Sequence, residues 1–106
     1  MPKYLIQASY TAEGIKGVLK EGGSGRKQAV ENALKSVGGK LEAFYFGFGD
    51  TDAFVLCDVP DAESAIAISL VAAATGTVGV KTTVLISPEQ MDAAAKKMVS
   101  FRPAGG

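Results

Sequence analysis

The sequence predicts an α+β domain, a four-stranded antiparallel sheet with helices on one face, and three observations carry that expectation. Four short β-rich runs are interleaved with stretches of helical periodicity in the order β-α-β-β-α-β, followed by one more helix. Helix start and stop signals bracket the periodic stretches. The 106 residues match the commonest size of a single domain, with no internal linker, repeat or low-complexity run. One domain over residues 1–106 is expected, with 100–106 as a disordered tail.

The opening "KYLIQASY" is rich in β-formers, which predicts a strand over Lys3–Ser9. "TAEGIKGVLKEGG" reads as a short, irregular helix capped by Thr11, because interior Gly14 and Gly17 each cost about 1 kcal/mol relative to alanine. "SGRKQAVENALKSVGG" is a regular helix. Ala29, Val30, Ala33, Leu34 and Val37 share one side, with Lys27, Glu31 and Lys35 opposite. Gly38 stands where a left-handed C-terminal cap belongs.

"KLEAFYFGF" and "TDAFVLCDV" are strands joined by a bend centred on Gly49-Asp50. "PDAESAIAISLVAAATG" is a helix with Asp61 as N-cap and Gly76 as stop. "TVGVKTTVLI" is β-branched and predicts the fourth strand. "SPEQMDAAAKKM" carries a Ser87–Gln90 capping box with Pro88 at the first helical position. This order is the ferredoxin-like arrangement.

Composition removes several function classes. Eleven basic and eleven acidic residues give zero net charge, which argues against a nucleic-acid partner. A single cysteine, Cys57, and no histidine exclude a disulfide framework, a structural zinc site and nucleophile systems that need imidazole. The longest apolar run, Ala65 to Ala74, is too short for a bilayer span of about twenty residues, so no membrane partner is expected. With no signal peptide in "MPKYLIQASY", a soluble, cytoplasmic protein without a cofactor is the expectation. Cys57 falls on a small-residue face and reads as an inert core thiol.

Strict alternation along the second strand sends Leu41, Ala43 and Tyr45 toward the helices and Phe44, Phe46 and Phe48 to the open face. On the third strand Ala53, Val55 and Cys57 point to the helices, and Phe54 and Leu56 away. Four phenylalanines on one face amount to roughly 600–1,000 Å². A soluble monomer tolerates a patch of only about 300–600 Å². A cover is therefore expected: a second copy of the chain, as homodimer or higher homo-oligomer, or else Met91 and Met98 folding back from the last helix.

Several segments together resemble a known family. "YLIQASYTAEGIKG", Arg26, "GGKLEAFYFGFGDTDAFVLCDVPDAESA" and "GTVGVKTTVL" resemble the GYD-domain family of small prokaryotic proteins, over roughly Tyr4 to Thr83. The resemblance rests most on the Thr11–Gly14 turn, Arg26, Gly38-Gly39, Gly47 with Asp52, Pro60-Asp61, Gly76 and Thr82-Thr83. In place of the tyrosine that gives the motif its name, Thr51 precedes Asp52. The resemblance implies a ferredoxin-like fold that associates as dimeric α/β barrels do. It supplies no reaction.

Arg26, Asp52, Lys81, Tyr45 and Thr11 are the candidate ligand-binding residues, and no catalytic residue is assigned. "GGSGRK" ahead of a helix suggests an anion cradle but reads equally as a flexible connector, and it lacks the glycine-lysine-serine/threonine of a phosphate loop. Asp50 and Asp52 fit turn roles better than a metal site, so no metal is assigned. Asp52 is a natural partner for Arg26 or Lys81, and Lys81 has Asp58 and Glu42 on its own parity. The expected function is a homo-oligomeric binding or regulatory module for a small anionic metabolite near Arg26 and Lys81. The alternatives are a cofactor-free enzyme using Asp52 with Arg26 and Lys81, or a purely structural oligomer subunit.

Overall fold

In the computed structural model, which describes residues 1–47 and 49–106, the elements run β1 (Lys3–Tyr10), α1 (Ala12–Ser36), β2 (Lys40–Phe46), β3 (Ala53–Asp58), α2 (Ala62–Ala74), β4 (Val78–Leu85) and α3 (Pro88–Ala95). The sheet is antiparallel in the order β2-β3-β1-β4. This is the expected ferredoxin-like α+β fold, with α1 and α2 on one face. Among the described residues no helix is long and apolar enough to cross a membrane.

The two helices expected before β2 form one element. α1 breaks only at Gly22, whose φ of 79° and ψ of 169° suit a residue without a Cβ. The "GGSGRK" connector thus shrinks to a single residue, and Gly23 to Lys27 are helical. Packing supplies the reason. A Cβ on Gly23 would lie 3.1 Å from the Phe46 ring, so the glycine run seats an aromatic side chain against the helix. α1 ends as expected. Gly38 takes φ 78°, its N–H donates to the Lys35 carbonyl, and the Gly39 N–H donates to the Leu34 carbonyl at 2.7 Å.

The other helices start on the predicted caps. Asp61 accepts from the Ser64 N–H at 2.8 Å, and that bonding to Ser64 holds its carboxyl below the usual range. Ser87 and Gln90 cap α3 reciprocally.

The core lies between sheet and helices: Tyr4, Ile6, Val55 and Cys57 from the strands, Leu34 and Ala65 from α1 and α2, and Val59 after β3. Cys57 is fully buried, and its Sγ–H donates to the Tyr4 carbonyl at 3.8 Å. Burial, then the Asp58 carboxylate, pushes the thiol up to about 11. Because the folded value is raised, the stability it represents is present below the thiol's ordinary value of 9.0 and lost as pH rises toward about 11. A thiol reagent at neutral pH is expected to leave native Cys57 unlabelled and to label it fully in denaturant. Rapid labelling of the native protein contradicts this placement.

The faces of β2 differ from the alternation expected of it. Leu41 pairs with Cys57 but Ala43 pairs with Leu56, so Glu42 is an extra residue in a β-bulge. Beyond the bulge the parity flips. Phe44 pairs with Val55 and Phe46 with Ala53, both helix-facing, and the two rings meet edge-on with centroids 5.0 Å apart. Ala43 and Tyr45 turn instead to the open face, beside Leu56 and Phe54. Phe48, also assigned to the open face, lies outside the described residues.

The open face is therefore less aromatic than alternation implies. It presents Leu5, Phe54 and Leu56 half-buried and Tyr45 exposed, with Leu85 beside Lys3. Met91 and Met98 do not fold back over it; every residue from Pro88 onward is exposed. At one end Lys3 binds Glu42 and also Asp58, at 2.9 Å, and these two bonds raise its ammonium above the ordinary lysine value. Glu42 and Asp58, expected as partners of Lys81, serve Lys3 instead.

Candidate ligand cleft between the two helices

α1 and α2 stand apart over the sheet, leaving a cleft of about 390 Å³, within the size range of small-molecule sites. Its floor is Ile6, Val55 and Phe44, and its walls include Val30 of α1 and Ile68 of α2. Arg26 is the one charged residue among those that line it.

The other polar groups of the lining are mostly occupied. Ser36 donates to the Ala33 carbonyl, Ser69 to the Ala65 carbonyl while also bonding Thr82, and Thr75 to the Ala72 carbonyl while bonding Thr77. Two side chains keep free capacity. Arg26 gives Nη1–H to Glu21 Oε1 at 3.1 Å, one of the five N–H groups a guanidinium carries. Tyr10 has no side-chain hydrogen bond among the described residues. Burial pushes its phenol up, opposed by nearby Arg26 and reinforced by Glu21 and Asp52, so at neutral pH it is a hydroxyl donor.

Local structure fixes both residues. Arg26 lies one turn past the Gly22 break in α1. Tyr10 ends β1 on the parity of Tyr4, Ile6 and Ala8, which turns it toward the helices. Asp52 anchors the Tyr10 backbone: its Oδ2 accepts the Tyr10 N–H at 2.9 Å, its N–H donates to the Ala8 carbonyl, and its carbonyl accepts from Gly47. The expected Arg26–Asp52 ion pair is replaced by Arg26–Glu21, although both acids and Arg26 gather around Tyr10.

Thr11 acts as a cap. Its hydroxyl donates to the Gly76 carbonyl at 2.9 Å and accepts from the Gly14 N–H, while its own N–H bonds Thr77. Lys81 and Tyr45 do not join Arg26. Lys81 alternates with cleft-lining Val80 and so emerges on the open face opposite Gln7, and Tyr45 lies on that same face. The bulge moved Tyr45, and the pairing of Glu42 and Asp58 with Lys3 left Lys81 without an ion pair among the described residues. Thr51 also faces away from the cleft, accepting from Gln7 Nε2 at 3.3 Å. The sequence reading missed Tyr10 and Glu21. The parity of Tyr10 with Ile6 and Ala8 was the available signal; Glu21 gave none, because its role depends on the helix continuing through "GGSGRK".

No curated protein and no solved structure matches the chain. One protein-family model does: that described as the GYD domain, over residues 4–95. The match runs from β1 to the end of α3 and includes every strand of the sheet and both cleft helices. The chain belongs to the GYD domain family.

Proposed function

We propose that this GYD-domain protein is a homo-oligomeric binding module whose ligand is a small organic anion held in the cleft between α1 and α2. The observation that carries the proposal is the polarity of the cleft: apolar floor and walls with one cation, Arg26, beside one free hydroxyl, Tyr10. A carboxylate accepting from Arg26 and Tyr10 would leave its hydrocarbon or aryl body against Val30, Ile68 and Val80. A nucleotide or sugar fits less well, because each of its buried polar groups needs a partner and the remaining hydroxyls are already bonded.

Thermal-shift titration with octanoate and phenylacetate, and with inorganic phosphate as the control, tests this reading. The acids are expected to stabilise the protein more than phosphate does. Arg26→Ala is expected to weaken binding about 10- to 100-fold, the worth of a charge-assisted hydrogen bond. No stabilisation by either acid, or equal stabilisation of Arg26→Ala, sinks the proposal.

The oligomeric part rests on the open face, where Leu5, Phe54, Leu56 and Tyr45 form an apolar strip on adjoining strands. A compact monomer in sedimentation at micromolar concentration contradicts it. The cofactor-free enzyme reading draws less support, since Asp52 is engaged by β1 and Lys81 emerges on the opposite face from Arg26.

A further inference from the structure

We infer that the C-terminal arm, α3 with residues 96–101, is exchanged with a second copy of this chain and lies on that copy's α2–β4 rim. The arm is locally well built, with Pro88 at its start and a Ser87–Gln90 capping box. Yet among the described residues nothing buries it: every residue from Pro88 onward is exposed. Met91, Met98, Val99 and Phe101 are 56%, 97%, 77% and 79% exposed, values that suit an apolar stripe awaiting a surface. The shape agrees: the radius of gyration is 16.7 Å over extents of 53 × 33 × 23 Å. A compact chain of about 100 residues has a radius near ~13 Å.

The rim offers what the arm lacks. Ile66 and Leu70 of α2, Val84 of β4 and Ile86 just beyond it are each at least half exposed. They form one region: the Ser69–Thr82 hydroxyl pair fixes α2 over β4, and Ile66 lies one turn before Ser69. Ile86 is also the root of the arm, so a two-fold contact there lets each copy send its arm across the other and closes this contact within a pair of chains, leaving the open face for any further association. Charge agrees as well. Lys96, Lys97 and Arg102 flank the arm's apolar residues, and Asp61 and Glu63 stand at the start of α2. Hiding roughly 100 Å² on each of these large side chains, half of what an aromatic buries, gives about 800 Å² per copy, the size of a standard interface. This contact uses neither the cleft nor the open sheet face.

Disulfide trapping in the full-length chain tests it. Leu70→Cys and Met98→Cys are made as separate variants, with fully buried Cys57 unable to compete. Mixed and mildly oxidised, they are expected to give a linked dimer at least about fivefold in excess of either variant alone. Met98→Glu with Phe101→Glu, both at exposed sites, is expected to keep the native circular dichroism while raising the dimer dissociation constant about tenfold or more. Three results would each overturn the inference: a mixture no better linked than the single variants, a Leu70→Cys/Met98→Cys double variant that closes its disulfide within one chain, or an unchanged dissociation constant in the charged variant.

Discussion

Phe44→Ala is expected to destabilise the fold by about 3 kcal/mol, within the usual range for removing a packed phenylalanine, while Tyr45→Ala changes protomer stability by about 0.5 kcal/mol or less. The Phe44 ring packs against the core opposite Val55 and meets Phe46 edge-on; Tyr45 is 70% exposed. Urea denaturation of the two variants measures the difference. Unbroken alternation along β2 predicts the reverse ranking, so the experiment also tests the bulge at Glu42. A larger loss for Tyr45→Ala than for Phe44→Ala would place the wrong residues in the core.

The second large effect sets two glycines of α1 against each other. A Cβ on Gly14 would stand 2.0 Å from the Thr77 carbonyl oxygen and 3.0 Å from Tyr10 Cδ1. That oxygen belongs to rigid backbone and accepts the Thr11 N–H at 2.9 Å, so the start of the helix must move away from the entry to β4. Gly14→Ala is expected to cost about 2–3 kcal/mol, the upper range for overpacking a tight contact. Gly17 has nothing within 4 Å of its virtual Cβ and does not adopt positive φ. Gly17→Ala is therefore expected to stabilise by about 0.5–1 kcal/mol through helix propensity. Denaturation midpoints moving in opposite directions support this packing; two shifts of the same sign contradict it. Because a Cβ at position 14 would press on the Tyr10 ring, Gly14→Ala is also expected to weaken ligand binding.

The legible parts of the fold were those written in local chemistry. Thr11, Asp61 and Ser87 each cap a helix by accepting a backbone N–H, and Gly38 ends α1 in the left-handed region. Such signals need only a few neighbouring residues. The glycines of "GGSGRK" look like a connector in isolation, yet Gly23 to Lys27 are helical, with the Phe46 ring packed where a Cβ on Gly23 would stand. Likewise, "KLEAFYF" carries no local mark of a bulge. The extra residue is absorbed at Glu42, where Lys3 of β1, reaching past β3, holds its carboxylate, and every side chain beyond it changes face.

The candidate site was half legible for the same reason. Arg26 and Asp52 lie at the Tyr10 end of the cleft, but Asp52 acts through the Tyr10 backbone and the paired acid is Glu21. Lys81 and Tyr45 depended on sheet parity. Strand pairing sets Lys81 opposite Gln7 on the open face, and the bulge carries Tyr45 there from the helix face that alternation implies. The cleft itself arises from two helices that stand apart, a tertiary property with no counterpart in any one segment.

Methyl NMR of isoleucine-, leucine- and valine-labelled protein titrated with octanoate tests the central claim most directly. The predicted result is a saturable shift of the Val30, Ile68, Val71 and Val80 methyls, which line the cleft. Leu5 and Leu56 on the open face should stay in place, and the response should be lost in Arg26→Ala. Shifts confined to Leu5 and Leu56, or cleft shifts that persist unchanged in Arg26→Ala, would contradict a cleft that takes an organic anion by its charge.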